Sequence, residues 1–190
     1  MDTKKPDPNH RTAVFAGGCF WCMQPPFDNL PGVVKTTVGY TGGLPTTADY
    51  ESVSSGATDH LEAIEVRYDP AKVSYEQVLD VFWRSIDPTD PSGQFADRGK
   101  QYQTAIYVFD DAQRKTAEKS KAALQTSGRF AKPVVVPVLE ARPFYPAEEY
   151  HQKYYRKNPL RYHSYKYGSG RAPFIEGTWF KETEKAGASR

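Results

Sequence analysis

Cysteine is scarce in this chain: Cys19 and Cys22 are the two cysteines among 190 residues. Two cysteines are too few for a disulfide framework, which excludes the small secreted proteins that depend on one. No apolar run approaches the ~20 residues that a membrane span needs, and residues 1–11 lack the apolar segment of a signal peptide. We therefore expect a cytoplasmic protein without a membrane span.

An excess of charge of either sign is also missing. Lys and Arg number 25 and Asp and Glu 23, which leaves a formal net charge of +2. This balance argues against a nucleic-acid surface. The basic, tyrosine-rich residues 153–171 could be read as such a surface, but a solvated carboxy-terminal segment is favoured, and we expect no nucleic-acid partner.

The composition is that of a globular protein, with 38% hydrophobic and 25% charged residues. Aromatic residues reach 14%, including 13 tyrosines, which can bury apolar area and still offer hydroxyls for hydrogen bonds. We expect a monomer with a single catalytic domain over residues 1–190. Its core would cover about residues 12–159, and a carboxy-terminal extension about residues 160–190.

Alternating and β-branched runs predict strands at residues 12–16, 33–40, 61–68 and 102–109. Helical spacing predicts helices between them: one ends near residue 30, one begins after Ser74, and one covers residues 111–125. Ser74 and Gln77 form a capping-box pattern. The order predicts an α+β two-layer sandwich with a βαββαβ (ferredoxin-like) core, its helices on one face of a mainly antiparallel or mixed sheet.

Proline marks the less regular parts of the chain. Pro25 and Pro26 lack an amide N–H, so we expect both in the first turn of a helix that begins near Cys22 or Met23. Pro137 indicates an edge strand for residues 134–139. Pro146 is expected to begin a helix to about residue 156.

Three further segments lack a clear pattern. Residues 41–60 are rich in Gly, Thr and Ser, and residues 87–99 in Pro, Asp, Ser and Gly, so both are expected to be loops. Beyond residue 158 we expect a mostly irregular carboxy-terminal tail.

The C-x-x-C spacing of the two cysteines allows three interpretations: a dithiol redox pair, half of a zinc site, or no functional role. A structural zinc ion needs four ligands, and the histidines lack the spacing of a metal-binding pair: His10, His60, His151 and His163. The redox interpretation is favoured and the others stay open.

The neighbours of Cys19 fit a nucleophile. Gly17 and Gly18 allow close backbone approach, and free N–H groups at a helix start favour a thiolate. Phe20 and Trp21 could form an apolar slot for an unbranched, uncharged group. An ordinary core position for these two aromatics is an equally good interpretation.

Glu62 lies on the apolar face of a predicted strand, together with residues 64, 66 and 68. Burial disfavours the charged form of a carboxyl and raises its pKa, which suits a proton donor at neutral pH. The alternative is a glutamate at the strand end whose side chain turns back to water.

Several short blocks of this sequence resemble motifs of the methionine sulfoxide reductase A family, and they occur in the same order as in that family. They begin with the signature of residues 17–21 (GGCFW) and cover most of residues 12–159. The other blocks are GYTGG at 39–43, DY at 49–50, HLE at 60–62, DRG at 97–99, QY at 101–102 and AEEYHQ at 147–152.

The resemblance implies a role for each matching residue. Cys19 would attack the sulfoxide sulfur and become a sulfenic acid. Glu62 would protonate the sulfoxide oxygen so that it can leave as water, with Tyr50 and Tyr102 hydrogen-bonded to that oxygen. Asp97 would help to organise the pocket.

The resemblance also implies the substrate and the reductant. Phe20 and Trp21 would hold the terminal methyl group of the S epimer of methionine sulfoxide, free or in proteins. Many members carry a resolving cysteine near the carboxy terminus, which is absent here, so Cys22 is expected to resolve Cys19 as in the CFWC subgroup. Thioredoxin would reduce the resulting disulfide, and no cofactor or metal is expected.

Two rival functions remain at this stage. A thioredoxin-type thiol-disulfide oxidoreductase would use W-C-x-x-C rather than C-F-W-C, and would not need Glu62 with two tyrosines. A zinc-binding module without enzymatic activity is the second rival.

This chain also departs from the family's pattern. It has Gln24 where the family often has a glutamate, and Pro25 and Pro26 follow it.

Overall fold

The strands and helices are described for residues 9–180, in a computed structural model. The strands are β1 (Arg11–Gly17), β2 (Val33–Thr41), β3 (Leu61–Tyr68), β4 (Gly93–Gln94), β5 (Asp97–Arg98), β6 (Thr104–Val108), β7 (Val138–Glu140) and β8 (Phe144–Pro146). The α-helices are α1 (Phe20–Asp28), α2 (Tyr50–Ser54), α3 (Tyr75–Trp83), α4 (Asp111–Thr126), α5 (Tyr154–Lys157), α6 (Pro159–Gly168) and α7 (Arg171–Trp179).

The main sheet has the strand order β7–β6–β1–β3–β2–β8, and β4 and β5 form a separate small hairpin. All neighbours in the main sheet are antiparallel except β6 and β7, which are parallel. The predicted α+β class with a mainly antiparallel, mixed sheet is confirmed. The edge position predicted from Pro137 is also confirmed, although the strand itself is shorter, Val138–Glu140.

The larger core lies between one face of this sheet and helices α1, α3 and α4. Phe15 of β1 is at its centre, stacked on Phe27 of α1 at 5.6 Å and on Phe82 of α3 at 4.8 Å between ring centroids. The alternate residues of the strands form a smaller apolar cluster on the opposite face, against which Phe144 packs. The side-chain alternation of β3 therefore places Glu62 on the helix-covered face, as predicted.

The predicted capping box begins α3. The Ser74 hydroxyl accepts a hydrogen bond from the Gln77 amide at 3.3 Å, and the Gln77 side chain accepts one from the Ser74 amide at 2.9 Å. Two backbone donors that a helix start leaves unpaired are thereby satisfied. The sequence pattern predicted the start of this helix correctly.

The predicted start of α1 was wrong. The helix begins at Phe20, and Pro25 and Pro26 lie in its second turn rather than its first. The Cys22 amide closes the first turn by donating to the Cys19 carbonyl at 3.0 Å. Burial of Phe20 and Phe27 on one face of this short helix stabilises it, although the prolines remove two interior N–H donors.

The predicted helix from Pro146 was also wrong. Pro146 is the last residue of β8, which pairs with β2 at the sheet edge, where the missing N–H of proline is tolerated. A short 3-10 turn follows at Glu149–His151, and Lys153 adopts a left-handed backbone with φ of +52° that interrupts any longer helix. Helix α5 begins only after this residue.

The segments expected to be irregular contain more structure than predicted. The first loop holds α2, the second holds the β4–β5 hairpin, and residues 100–102 form a 3-10 turn before β6. The irregular tail was wrong for residues 159–179, which form α6 and α7. Residues 181–190 of the expected tail lie outside the described residues. No helix within residues 9–180 is both long enough and apolar enough to cross a bilayer.

Candidate active site

The turn between β1 and α1 places Cys19 at the helix start. Gly18 has φ of +76°, a conformation that favours glycine, and an added Cβ there would lie 2.5 Å from the Cβ of Gln94. Cys19 follows as the residue before the first helical position and is 6% exposed. The sequence therefore fixes a buried thiol at a point where helical N–H groups begin.

Glu62 extends from β3 to the same point. Its side chain is 3% exposed, and its Oε2 accepts a hydrogen bond from the Phe20 amide at 3.0 Å. Burial raises the pKa of Glu62 to about 8, although the Phe20 amide opposes this rise by stabilising the carboxylate. The other carboxyl oxygen can carry the proton, so Glu62 can act as a proton donor at neutral pH.

Tyr50 and Tyr102 supply two phenols to the pocket that Cys19 and Glu62 line. Tyr50 is the first residue of α2, whose amino end is capped by Asp49, and Tyr102 ends the 3-10 turn before β6. Burial raises the pKa of both phenols, so they remain protonated and can donate hydrogen bonds.

Phe20 and Trp21 form the apolar side of this pocket. Phe20 is 1% exposed and also belongs to the main core. It is therefore both a core residue and part of the apolar wall of the pocket. Trp21 stacks on Tyr154 with 3.8 Å between ring centroids, and its indole N–H donates to Nδ1 of His151 at 2.9 Å. These contacts hold the Trp21 ring in one orientation.

Asp97 lines the pocket from the β4–β5 hairpin and accepts a hydrogen bond from the Tyr165 hydroxyl. Burial raises the pKa of Asp97, and the donor from Tyr165 opposes that change. All predicted site residues except Cys22 thus line one pocket, although they come from five separate parts of the chain.

Cys22 lies behind this pocket rather than on its wall. It is 2% exposed and packs with Tyr154 and Tyr162. Cys19 precedes the helix and Cys22 is its third residue, positions whose side chains meet at a helix start. The two thiols influence each other: burial, reinforced by Cys22, raises the pKa of Cys19 well above its usual value, and the neighbouring Cys19 lowers the pKa of Cys22.

Glu148 was not singled out in the sequence, and His151 was considered only as a zinc ligand, although both lie in the AEEYHQ block. Glu148 accepts hydrogen bonds from the Tyr50 amide at 2.8 Å and from the Tyr40 hydroxyl at 2.9 Å, which fixes the start of α2. His151 is 1% exposed, and burial lowers its pKa, so the ring is neutral. Its Nδ1 accepts from Trp21, and its proton is therefore on Nε2.

Arg161 and Tyr165 of α6 were also missed, and both line the pocket. No sequence signal identified them, since the segment was expected to be irregular.

Gln24, which stands where the family often has glutamate, is 1% exposed, and both its side-chain nitrogen and its side-chain oxygen form hydrogen bonds. Its amide donates to Thr36 Oγ1 at 3.0 Å, and its carbonyl accepts from the Lys153 amide at 2.7 Å.

The arrangement combines a buried thiol, a carboxylic acid and two phenols around an apolar slot. Such a set can donate protons and hydrogen bonds to a polar oxygen while a sulfur nucleophile attacks the adjacent atom. Among residues 9–180 no group of three or more His, Cys, Asp or Glu side chains is placed to hold a metal ion.

Comparison with known proteins identifies relatives over nearly the whole chain. The family model "Peptide methionine sulfoxide reductase" matches residues 11–183. The "Peptide methionine sulfoxide reductase MsrA" of Bacillus pumilus is 55% identical over 167 residues, which are 88% of this chain and 94% of that protein.

Solved structures resemble the fold as well. Mxr1 from Saccharomyces cerevisiae in reduced form superposes with a TM-score of 0.77 at 31% identity, over 83% of this chain and 91% of that one. Mxr1 in complex with Trx2 gives a TM-score of 0.56 at 23% identity, over 80% and 91% of the two chains, which shows likeness of fold alone.

Proposed function

This chain belongs to the peptide methionine sulfoxide reductase family, and we propose that it reduces the S epimer of methionine sulfoxide, free and in proteins, with Cys19 as nucleophile. The observation that carries the proposal is the convergence of Cys19, Glu62, Tyr50 and Tyr102 on one pocket. Because burial raises the pKa of Glu62 to about 8, an acid is available there at neutral pH.

In the first step the Cys19 sulfur attacks the sulfoxide sulfur while Glu62 donates a proton to the oxygen. Tyr50 and Tyr102 stabilise the charge that develops on this oxygen by hydrogen bonding. The Cys19 thiol proton passes to Glu62 and replaces the donated one. The hydroxyl group then moves from the substrate sulfur to the Cys19 sulfur as the bond between the two sulfurs breaks, so that methionine is released and Cys19 is left as a sulfenic acid. The substrate gains two electrons and Cys19 loses two.

In the second step Cys22 attacks the sulfenic acid. A disulfide between Cys19 and Cys22 forms, and the oxygen leaves as water. The positions of the two cysteines support this pairing, since Cys19 directly precedes α1 and Cys22 is the third residue of this helix. A dithiol reductant of the thioredoxin class then reduces the disulfide; the solved complex of the yeast protein Mxr1 with Trx2 is consistent with this step.

Three separate walls support selectivity for one epimer. The methyl group would lie against Phe20 and Trp21, and the oxygen against Glu62 and the phenols of Tyr50 and Tyr102. The rest of the bound substrate would extend out of the pocket past the exposed Arg161. A chiral sulfur with three distinct substituents can satisfy all three walls in one configuration. The S configuration is the one that the family resemblance implies.

The wider organisation of the protein is part of the proposal. We propose that β1, α1, β2, β3, α3 and β6 form a ferredoxin-like core, since these strands pair in the order β6–β1–β3–β2. The core of about residues 12–159 and the segment after it would act as one catalytic domain, because Arg161 and Tyr165 line the same pocket as Cys19.

We further propose a monomer that works in the cytoplasm. Among residues 9–180 the large apolar side chains that are exposed come from separate parts of the chain, such as Leu44, Phe109 and Leu160. A dithiol that must be returned to its reduced state suits a reducing compartment. Sedimentation of the purified protein tests the first proposal, and fractionation of the source cells tests the second.

The test of the reaction is a single-turnover assay with the two separated epimers of methionine sulfoxide. One equivalent of the S epimer should give methionine without added reductant, and the R epimer should give none. Equal reduction of both epimers would contradict the proposed pocket, and no methionine from either would contradict the reductase function itself.

A further inference from the structure

Arg171, the first residue of α7, is a buried cation beneath the candidate active site. Its side chain is 1% exposed and enters the core where Gly170, with φ of +87°, ends the turn before the helix. The guanidinium donates to the carbonyls of Ser85 at 2.7 Å and Gly17 at 3.0 Å. It also lies over the ring of Phe95, 4.7 Å from the centroid.

These contacts place the charge beside both ends of the cysteine segment. Gly17 comes just before this segment, and Met23, whose sulfur lies 3.8 Å from Nη1 of Arg171, comes just after it. A Cβ added to Gly18 would lie 2.8 Å from Nη2. The guanidinium therefore packs directly against the backbone that carries Cys19 and Cys22.

Arg171 forms no salt bridge in the part of the chain that the structure describes, where none of the ion pairs includes it. Its charge is felt by two nearby carboxyls, since it lowers the pKa of Asp97 and of Glu62. A buried guanidinium is costly unless an anion compensates it. Backbone carbonyls satisfy its N–H groups but leave the net charge in place. An anion that forms nearby during turnover would therefore be stabilised.

We propose that Arg171 is a positioning residue that stabilises the Cys22 thiolate, the form in which Cys22 attacks the Cys19 sulfenic acid. The proposal rests on the reductase function proposed above. The Cys22 sulfur forms the bond to the Cys19 sulfur, the S–O bond of the sulfenic acid breaks, and hydroxide takes up the proton that Cys22 released and leaves as water. No other oxidant or reductant is needed.

The groups around Cys22 come from each element packed near it. Those that titrate or carry charge are Cys19, Glu62 of β3, Asp97 of β5, Tyr154 of α5, Tyr155 of α5, Tyr162 of α6, Tyr165 of α6, Lys166 of α6 and Arg171 of α7. The neighbouring Cys19 is the largest influence and lowers the pKa of Cys22, while burial and Asp97 raise it. Arg171 and Lys166 are the two cations that lower it, and Arg171 is the more deeply buried, so water screens its charge less.

The inference identifies a function for the carboxy-terminal segment of this chain. Cys22 is buried between Tyr154 of the core and Tyr162 of α6, and burial by itself would raise the pKa of a thiol. The turn at residues 168–171 inserts a cation beneath that site. Many family members carry a resolving cysteine in this segment. Here the segment would instead support Cys22, the resolving cysteine proposed on α1.

A titration of Cys22 tests this inference. In a Cys19→Ser background Cys22 is the single remaining thiol, and serine keeps a hydroxyl that can donate to it. The ultraviolet absorbance of the thiolate against pH gives its midpoint. We expect a midpoint below the usual value of about 8.5, a rise of about 1 unit or more with Arg171→Gln, and a value close to the background with Arg171→Lys.

Trp179→Leu is the matched control for loosening of α7. The Trp179 ring packs under Arg84 and Arg129 at the far end of the helix, so its loss disturbs the docking of the helix without changing the charge near Cys22. The midpoint should stay at the background value in this variant. An equal rise in both variants would mean that Arg171 acts only by docking the helix, and would overturn the inference.

Two other results would also overturn it: an unchanged midpoint in Arg171→Gln, or a midpoint at or above about 8.5 in the Cys19→Ser background. The second result comes from protein that still contains Arg171, so it tests the inference even if the Arg171→Gln variant does not fold. The titration measures no sulfoxide reduction. Its failure would leave the proposed reductase function intact, whereas the assay with separated epimers would reveal failure of that function.

Discussion

The Oε2 atom of Glu62 lies 3.0 Å from the backbone nitrogen of Phe20, the residue that follows Cys19. This hydrogen bond joins the centre of the sheet to the first residue of α1. One contact therefore sets the position of the proposed acid relative to the proposed nucleophile. It uses one carboxyl oxygen and leaves the other free to carry the proton that the reaction needs.

Replacement of Glu62 by glutamine should slow sulfoxide reduction by about 10²–10⁴-fold, because the amide cannot donate an acidic proton. The amide oxygen can still accept the hydrogen bond from Phe20, so the fold should be retained. Rapid-quench measurement of methionine formed in a single turnover gives the rate.

Glu65→Gln is the matched control, since Glu65 lies on the same strand with its side chain on the opposite face. This variant should react at the rate of the parent. If Glu62→Gln also kept the parent rate, the proton donor would have to be sought at Tyr50 or Tyr102.

The raised pKa of Glu62 predicts a pH dependence of stability. The folded protein keeps this proton up to about pH 8, whereas the unfolded chain loses it near the usual value of 4.5. Between these values the unfolded state binds fewer protons, so the contribution of Glu62 to the free energy of unfolding falls as pH rises.

Urea unfolding of the parent and of Glu62→Gln at several pH values measures this contribution as the difference between the two. The difference should change by a few kcal/mol, on the order of 1.4 kcal/mol for each unit of pKa shift, and level off above about pH 8. A difference independent of pH would mean that Glu62 ionises normally in the folded protein.

Cys22→Ser should complete one turnover at close to the parent rate and then stop when thioredoxin is the reductant. Its Cys19 sulfenic acid would have no neighbouring thiol to form a disulfide, whereas a small dithiol should still restore activity. In the parent, mass spectrometry after one turnover should show the loss of two hydrogens. Full thioredoxin-dependent cycling in Cys22→Ser would exclude Cys22 as the resolving residue.

Gly18→Ala should destabilise the protein by about 1–3 kcal/mol or more, because of its left-handed backbone and the contact with Gln94 at 2.5 Å from the added Cβ. Gly168→Ala is the control: nothing lies within 4 Å of its added Cβ, and alanine favours a helix. Thermal or urea unfolding of both variants measures the effect. Equal stability of the two would show that the turn before Cys19 tolerates a side chain.

The sequence predicted the elements whose patterns arise from one strand or helix alone. The alternation in residues 61–68 correctly placed Glu62 on the covered face, and the Ser74 and Gln77 pair located the start of α3. The motif blocks identified most residues that line the pocket. These signals are local, and the main core reinforces them.

The failures lie where contacts distant in sequence decide the structure. Pro146 became part of a strand because the edge of β2 was open to pairing. Helices α6 and α7 carry no clear apolar stripe, and they are stabilised by tyrosine packing and by the hydrogen bonds from Arg171 to the carbonyls of Ser85 and Gly17. Arg161 and Tyr165 could not be assigned to the site because their helix could not be predicted.

The most direct test of the account is to locate the oxygen after one turnover in Cys22→Ser protein. With one equivalent of the S epimer, mass spectrometry should find one added oxygen on the peptide that contains Cys19, in amounts equal to the methionine formed. Cys19→Ser should form no methionine. Methionine production by Cys19→Ser at a substantial fraction of the parent rate, or an unmodified Cys19 after turnover, would contradict the account.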